Sequence, residues 1–242
     1  MKRSVMLLIA AFAAVLAGCS FSPPIVGSGR AITTATTAPG VTRVSASQAC
    51  DLSIVRDTTY GVQVTCDDNL VDYLSVGTDA FGTLRIGLDP AHSYTGITFR
   101  AVVHVPSLEG LDLSGASQAT VDAGFSSAQP LSVTLSGASS ATLAGITCGG
   151  VTATVSGAST LNASGPVDSA SLTVSGASTV DMLGCTMSAA TVNLSGASRG
   201  KVTIASGLVT LSASGASTFS YRGAPTLNIV ELSGGSSITY AY

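Results

Sequence analysis

Apolar and polar residues alternate in short runs along most of this 242-residue chain, from about residue 44 onward. Leu111-Asp112-Leu113 and Leu172-Thr173-Val174 are two examples. A period of two is typical of a β-strand that buries one face. No stretch of this region keeps the i, i+3, i+4 apolar spacing long enough for a helix. The pattern therefore predicts an all-β protein.

Seven of these runs end in Ser-Gly-Ala-Ser or a near copy, the last being Ser-Gly-Gly-Ser. The copies follow each other at steps of 22, 20, 19, 20, 19 and 19 residues. A fixed period of this length indicates a stacked solenoid with one repeat per coil. The copies begin at Ser114, Ser136, Ser156, Ser175, Ser195, Ser214 and Ser233.

Three other repeat architectures fit less well. Leucine-rich repeats need a longer leucine ladder and a helical return, calcium-binding rolls need Gly-Gly-x-Gly-x-Asp, and propeller blades are twice as long. A parallel β-helix with about 20 residues per coil remains, and its coils should stack about 4.8 Å apart.

The tetrapeptide is expected to form a corner of each coil. Glycine allows a tight bend with an unfavourable φ, and the alanine is expected to lie inside the corner. The flanking serines should form two ladders of hydroxyl groups that bond to each other or to the backbone of the bend.

The N-terminus carries a processing signal. Lys2 and Arg3 precede an apolar stretch from Val5 to Val15, which is too short for a membrane-spanning helix. Leu16-Ala17-Gly18-Cys19 then resembles the lipobox of bacterial lipoproteins. The resemblance implies cleavage of residues 1–18 and a lipid, diacylglycerol with palmitate, on Cys19. An ordinary secretory peptide with an incidental cysteine is the alternative.

Composition divides the rest of the chain. Residues 19–46 are rich in Ser, Thr and Pro and predict a flexible tether. Residues 47–242 are the predicted β-helix domain, with irregular coils over 47–110 that cap one end and Ser-Gly-Ala-Ser repeats over 111–242. The opposite end is expected to be covered by aromatic side chains, namely Phe219, Tyr221, Tyr240 and Tyr242.

Charge is scarce in the chain. Only 10% of residues are charged, and residues 19–242 carry 8 basic and 13 acidic groups, a net charge of −5. So few cations argue against a nucleic-acid partner.

Four cysteines follow Cys19. In an exported chain an even number favours disulfides, and Cys50 and Cys66 flank adjacent strands, so they are a possible pair. Cys148 and Cys185 lie two coils apart, near 9.6 Å, which is beyond disulfide reach. Both are expected to be buried free thiols.

No catalytic, cofactor-binding or metal-binding set is recognisable. Asp168 and Asp181 are 13 residues apart and so do not align on successive coils. The two histidines, His92 and His104, lie outside the repeats and are interpreted as surface or packed residues. We expect no enzyme activity and no cofactor. Stacking of sugars on aromatic rings is excluded over residues 126–218, which contain no Phe, Tyr or Trp.

The Leu-x-Leu-Ser-Gly-Ala-Ser ladder, the run Val62–Asn69 and Tyr221-Arg222-Gly223-Ala224-Pro225 resemble the head-GIN domain family over about residues 42–242. Members are described as auto-transporter adhesins and are often lipoproteins. The resemblance implies a single-stranded right-handed β-helix but no functional residues.

The leading functional hypothesis is a non-enzymatic lipoprotein, anchored to a bacterial membrane through Cys19, that contacts a protein or glycan in the periplasm or outside the cell. A scaffolding lipoprotein that binds another envelope component is the alternative, and a polysaccharide-active β-helix enzyme is a remote third. The sequence leaves open the ligand, the membrane (outer membrane or outer face of the cytoplasmic membrane) and the oligomeric state.

Overall fold

The computed structural model describes residues 23–241, which are 64% strand and 3% helix in a β-solenoid of about six turns. A 3₁₀ helix covers Asp68–Tyr73. The strands are β1 (Ile25–Val26), β2 (Ala31–Thr36), β3 (Arg43–Ala46), β4 (Asp51–Arg56), β5 (Gly61–Asp67), β6 (Leu74–Thr78), β7 (Thr83–Leu88), β8 (Tyr94–Thr95), β9 (Phe99–Val105), β10 (Gly110–Leu113), β11 (Gln118–Val121), β12 (Ser126–Leu135), β13 (Ser140–Leu143), β14 (Thr147–Val155), β15 (Thr160–Pro166), β16 (Ser169–Val174), β17 (Thr179–Leu194), β18 (Arg199–Ala213), β19 (Thr218–Leu232) and β20 (Ser237–Tyr240).

Strands of successive coils pair in parallel and in register, which confirms the predicted β-helix with about 20 residues per coil. One ribbon of the solenoid precedes the corner and contains β10, β16 and the second halves of β12, β14 and β17. A second ribbon follows the corner and contains β11, β13 and β15. The return segments pair with one another in a third.

Period-two alternation turns every second side chain into the solenoid, where equivalent residues of successive coils stack in columns. Burying one leucine or valine side chain stabilises the fold by about 1.5–3 kcal/mol relative to leaving it in water. One column consists of Leu113, Leu135, Val155, Val174, Leu194 and Ala213, all buried.

The glycine of each corner has a left-handed backbone, with φ between 62° and 77° in the seven copies. The corners also touch. A Cβ added at Gly196 would lie 2.7 Å from the carbonyl oxygen of Gly176, one coil earlier. The Ala197 N–H donates to that same carbonyl at 2.8 Å. Glycine is therefore required twice, for its φ and for the closeness of the next coil.

The interior of the corner is occupied by the second serine, not by alanine. Ser117, Ser139, Ser159, Ser178, Ser198 and Ser217 are buried, whereas the alanines are exposed. The Ser139 hydroxyl donates to the Ser136 carbonyl at 2.8 Å, and its backbone N–H donates to the Ser159 hydroxyl at 3.3 Å. The expectation of an inward alanine is thus wrong, because the bend's own carbonyls need a buried hydroxyl donor.

An additional corner precedes the recognisable copies. β3 aligns with β10, and β4 aligns with β11, so Ser47-Gln48-Ala49-Cys50 occupies the position of Ser114-Gly115-Ala116-Ser117. Cys50 replaces the buried second serine. Gln48 replaces the glycine and keeps its positive φ, at 56°.

The chain between this corner and β10 covers the N-terminal end of the solenoid. β7 stacks on β3, and β9 stacks on β4, both in parallel. β6 and β5 then pair with them in antiparallel fashion, and β2 adds to β5. Buried Val62, Val64 and Leu70 close the core at this end.

The segment expected to be a tether is ordered from β1 onward, so a tether does not reach residue 46. β1 pairs with β8, and β2 pairs with β5. The buried Asp67 carboxylate accepts the N–H groups of Gly29 (3.1 Å) and Thr98 (2.7 Å). Asn69 accepts the Ser28 N–H at 3.1 Å. Composition alone missed these long-range contacts, and residues 1–22 lie outside the described residues.

At the C-terminal end the aromatic residues that the structure describes lie on one side of the core. Phe219 is buried and stacks with Tyr221, and Tyr221 meets Tyr240 edge to face at 5.6 Å. Tyr242 lies outside the described residues. Leu232, next in the column after Ala213, stays 43% exposed, and no strand among residues 23–241 pairs with its outer side.

We predict that Gly196→Ala destabilises the solenoid by about 3 kcal/mol, the sum of left-handed backbone strain and overpacking against Gly176. Thermal unfolding followed by circular dichroism should show a midpoint lower by roughly 10 °C. Gly235→Ala is the matched control, because Gly235 has no positive φ and its added Cβ would lie 3.7 Å from Gly215 O. That variant should be neutral or slightly stabilising. Equal losses in both variants would refute the corner's double requirement for glycine.

Candidate functional site: a groove at the first two corners

A groove of about 590 Å³ lies where the N-terminal cap meets the solenoid. One wall is formed by the first two corners, at Gln48-Ala49 and Gly115-Ala116. The loop from His92 to Ile97 forms the other wall. The lining contains no Lys, Arg, Asp or Glu.

Backbone strain is concentrated in this groove. Gln48, Ala49 and Ala116 have φ values of 56°, 60° and 67°, and among the residues described no other non-glycine residue has a positive φ. All three line the groove. A left-handed backbone costs a residue with a Cβ roughly 1–2 kcal/mol. Such strain often occurs at functional sites, which makes the groove the leading candidate here.

The hydrogen-bond ladder of the corners also reverses here. From Gly137 to Gly215, the carbonyl of the corner glycine accepts the N–H of the third corner residue of the following coil, as Gly137 does from Ala158 at 2.8 Å and Gly215 does from Gly235 at 2.7 Å. Gly115 instead accepts the N–H of Ala49, in the preceding corner, at 2.8 Å. The N–H groups of Ala116 and Ala138 are consequently left without a protein acceptor within residues 23–241. Both alanines are exposed, so these donors are available to a ligand oxygen or to water.

Two aromatic side chains border the groove. The Tyr94 hydroxyl donates to the Asp89 carbonyl at 2.8 Å, and burial raises its pKa. His92 Nδ1 lies 3.5 Å from Asp89 Oδ2, and its ring meets Tyr73 edge to face with centroids 5.0 Å apart. These contacts hold the two rings at the rim.

The site residues expected from the sequence lie elsewhere. Cys19 is outside the described residues. Cys50 and Cys66 are buried free thiols, and the expected disulfide between them is absent. They are at the level of Phe99 on either side of β9, which puts them about 9.6 Å apart. The adjacency in sequence was misleading because β9, from later in the chain, inserts between their strands.

Cys148 and Cys185 are buried free thiols with one coil between them, as expected. Burial and, second, the neighbouring Cys148 raise the pKa of Cys185 to about 12. Burial and then Asp51 raise the pKa of Cys50 to about 12 as well. These thiols act as small apolar core residues.

The second histidine, His104, places Nδ1 3.2 Å from Asp57 Oδ2, without the alignment of a hydrogen bond. The Thr59 backbone N–H lowers the pKa of Asp57. Within residues 23–241, no three His, Cys, Asp or Glu side chains converge as metal ligands. The same part of the chain has no helix of the length and apolarity needed to span a membrane.

The sequence analysis missed the groove because its signal is weak. Ser47-Gln48-Ala49-Cys50 shares only the first serine and the alanine with the repeat, and it lies 67 residues before Ser114. Aligning Val44-Ser45-Ala46-Ser47 with the apolar alternation of Leu111–Ser114 could have revealed it. The contribution of the His92–Ile97 loop depends on tertiary structure alone.

Comparison with known proteins supports the class of protein that this geometry defines, a corner-repeat β-solenoid with an antiparallel cap. A putative adhesin from Bacteroides fragilis has 18% identity and a TM-score of 0.75, over 90% of this chain and 100% of that one. A putative lipid binding protein from Parabacteroides distasonis has 18% identity and a TM-score of 0.67, over 91% and 100%. A putative adhesin from Parabacteroides merdae has 13% identity and a TM-score of 0.61, over the same shares. No curated protein sequence matches the chain.

The family follows from a sequence match over residues 41–225, which is most of the chain. The chain belongs to the family described as putative auto-transporter adhesin, head GIN domain. The resemblance noted from the Ser-Gly-Ala-Ser ladder is thereby confirmed.

We predict four free thiols at Cys50, Cys66, Cys148 and Cys185 in protein purified without reductant. At pH 8, iodoacetamide should label Cys50 and Cys185 roughly a thousandfold more slowly in the native than in the unfolded chain, because a pKa near 12 in place of 9 suppresses the thiolate. Mass spectrometry of peptides from native and urea-unfolded samples measures both. If two of the thiols become reactive only after reduction, a disulfide exists and the assignment of free thiols is wrong.

Proposed function

We propose that the protein is a non-enzymatic, lipid-anchored adhesin of the bacterial cell envelope that binds a neutral saccharide in the groove at its first two corners. The family and the fold support an adhesin. The observation that carries the choice of site is the concentration of backbone strain, the free Ala116 N–H and aromatic rings in one groove.

The ligand class follows from the lining. Without Lys, Arg, Asp or Glu the groove offers nothing to neutralise a charged ligand. Tyr94 and His92 offer ring faces and edges, and Ser93, Thr95 and the free Ala116 N–H offer hydrogen bonds. Rings combined with neutral donors and acceptors suit sugar hydroxyl groups. The repeats from 126 to 218 contain no aromatic residue, so they cannot offer this combination of groups.

A second function, scaffolding within the envelope, is favoured by where the chain begins its fold. β1 pairs with β8, which lies in the groove loop. Six residue steps separate Cys19 from Ile25, which reach at most about 20 Å. A lipid on Cys19 would therefore hold the groove close to its own membrane. In that case the saccharide belongs to the cell's own envelope instead of a foreign surface.

The groove is tested with beads that carry the lipid-free mature chain. We expect them to attach to at least one member of a panel of immobilised neutral oligosaccharides of hexose and N-acetylhexosamine. His92→Ala should weaken attachment at least tenfold, while Phe81→Ala, which removes an 88% exposed ring away from the groove, should not. No attachment by the wild type, or equal effects of both variants, would refute the groove as a glycan site. Binding to the cell's own polysaccharide, with the protein protected from protease added to intact cells, selects scaffolding over adhesion.

The anchor is tested by Cys19→Ala in the full-length chain. Without the sulfur no lipid can be attached, so we expect the variant to move from the membrane fraction to the soluble fraction, whereas Ser20→Ala should not. A gain in mass of the wild-type chain corresponding to diacylglycerol is expected from mass spectrometry. A wild-type chain without lipid would leave an ordinary secretory peptide as the correct interpretation.

A further inference from the structure

Within residues 23–241, no strand covers the apolar core at the C-terminal end of the solenoid. Leu227, Val230 and Leu232 of β19 are in register with the buried Val209, Leu211 and Ala213 of the preceding coil. They therefore continue the core columns, yet they are 37%, 40% and 43% exposed. The half-buried Ile238 and the 49% exposed Tyr240 border the same end. We define Leu227, Val230, Leu232, Ile238 and Tyr240 as the end face.

Unpaired backbone surrounds this apolar surface. β20 pairs with Thr218–Tyr221, and within the described chain the outer edge of β19 from residue 223 to residue 232 has no strand partner. An open strand edge beside exposed apolar residues is a surface that recruits another strand. The side chains of an unrelated globular protein could cover the apolar residues. Only the end of another solenoid, however, could also pair with the bent edge of β19.

We propose that the occupant of the end face is a second copy of this chain, related by a two-fold axis across the end of the solenoid. The axis reverses the direction of the second chain, so the two copies of β19 meet as antiparallel edges and the apolar columns become continuous. Charge opposes this pairing only weakly, because Glu231 is the one charged side chain between 223 and 241 and it is exposed to screening by solvent.

The opposite end explains why pairing stops at two copies. Antiparallel β5 and β6 lie over the N-terminal end, and the buried Val62 and Leu70 close its core. A head-to-tail contact would need an open core at both ends. The end faces can meet only each other, which gives a closed dimer and no fibre.

The dimer has a consequence for adhesion. This consequence rests on the lipid anchor proposed above, but the pairing of the two end faces does not depend on the anchor. β1 lies at the capped end, so the N-termini project from the two far ends of the dimer. Eight corners separated by about 4.8 Å span roughly 34 Å in each copy. Copies held at their N-termini on two surfaces would therefore connect those surfaces.

The pairing is tested by sedimentation of the mature chain with Cys19→Ser, which prevents acylation. The end face is small for an interface, so we expect a monomer–dimer equilibrium with a Kd between about 1 and 100 µM. Val230→Lys should weaken it at least tenfold, because the two-fold axis brings like charges together. Leu208→Lys is the matched control, since Leu208 is 44% exposed but lies in the preceding coil. An equimolar mixture of Val230→Lys and Val230→Glu should form the dimer again, which a misfolded variant could not do.

Several results would overturn the proposal. These are a wild-type chain that stays monomeric at 1 mM, oligomers that grow beyond two copies, and an equal loss of dimer with Leu208→Lys. Beads that carry the wild-type chain by its N-terminus should cluster. Beads that carry Val230→Lys should cluster only with beads that carry Val230→Glu. Dimers in solution without bead clustering would show that the N-termini do not lie at opposite ends, and would refute the two-fold geometry while leaving the groove proposal intact.

Discussion

The close contact between glycine peptides of successive corners is the constraint on which this structure depends. Gly196 can approach the carbonyl of Gly176 only because it has no side chain, and the bend can form only because its φ is positive. The Ala197 N–H then donates to that same carbonyl, which holds the two coils in register. The residues directly before and after each corner then pair in register with those of the next coil, and their apolar side chains align in columns. Register shifts occur farther from the corner. The buried serines complete the arrangement, because they satisfy the carbonyls that the bend turns inward.

The surface of such a repeat offers few functional groups for binding or catalysis. Each coil has the same small residues at its corner, and side chains between corners either enter the core or form a surface of Ser, Thr and Ala. A site can arise only where the repetition is broken. The first two corners break it in three ways: Gln48 replaces glycine, Ala116 becomes left-handed, and the Gly115 carbonyl turns toward the preceding coil. The groove lies at this break, and so do the two aromatic rings brought by the inserted loop.

How well the sequence predicts each part of the structure depends on how far apart in the sequence the interacting residues are. Repeat period, strand register and the need for corner glycine are local and recur seven times, so the sequence predicts them reliably. The sequence did not predict that the second serine of the corner points inward. The alanine and the serine are both small enough for the interior of the bend, and only the need to satisfy a buried carbonyl selects the serine. The ordered segment before residue 46 depends on Asp67 and Asn69, some 40 residues away. The separation of Cys50 from Cys66 depends on β9, which enters from more than 30 residues later.

The two ends of the solenoid face the same physical problem and differ in its solution. A stack of parallel coils must expose a strand edge and a section through its core at each end. At the N-terminal end the chain folds back, and antiparallel strands turn the last edge into a short sheet with Leu70 over the core. At the other end Phe219 and Tyr221 protect one side, while Leu227, Val230 and Leu232 keep core positions that no strand of the described chain covers. Inward positions in the preceding coils also hold small or polar residues, among them Ala213 and Ser217. The final coil could therefore have carried polar residues at these three positions without losing the register that the glycine corner provides. Leucine and valine there are better explained by contact with another apolar surface than by the stability of the single chain.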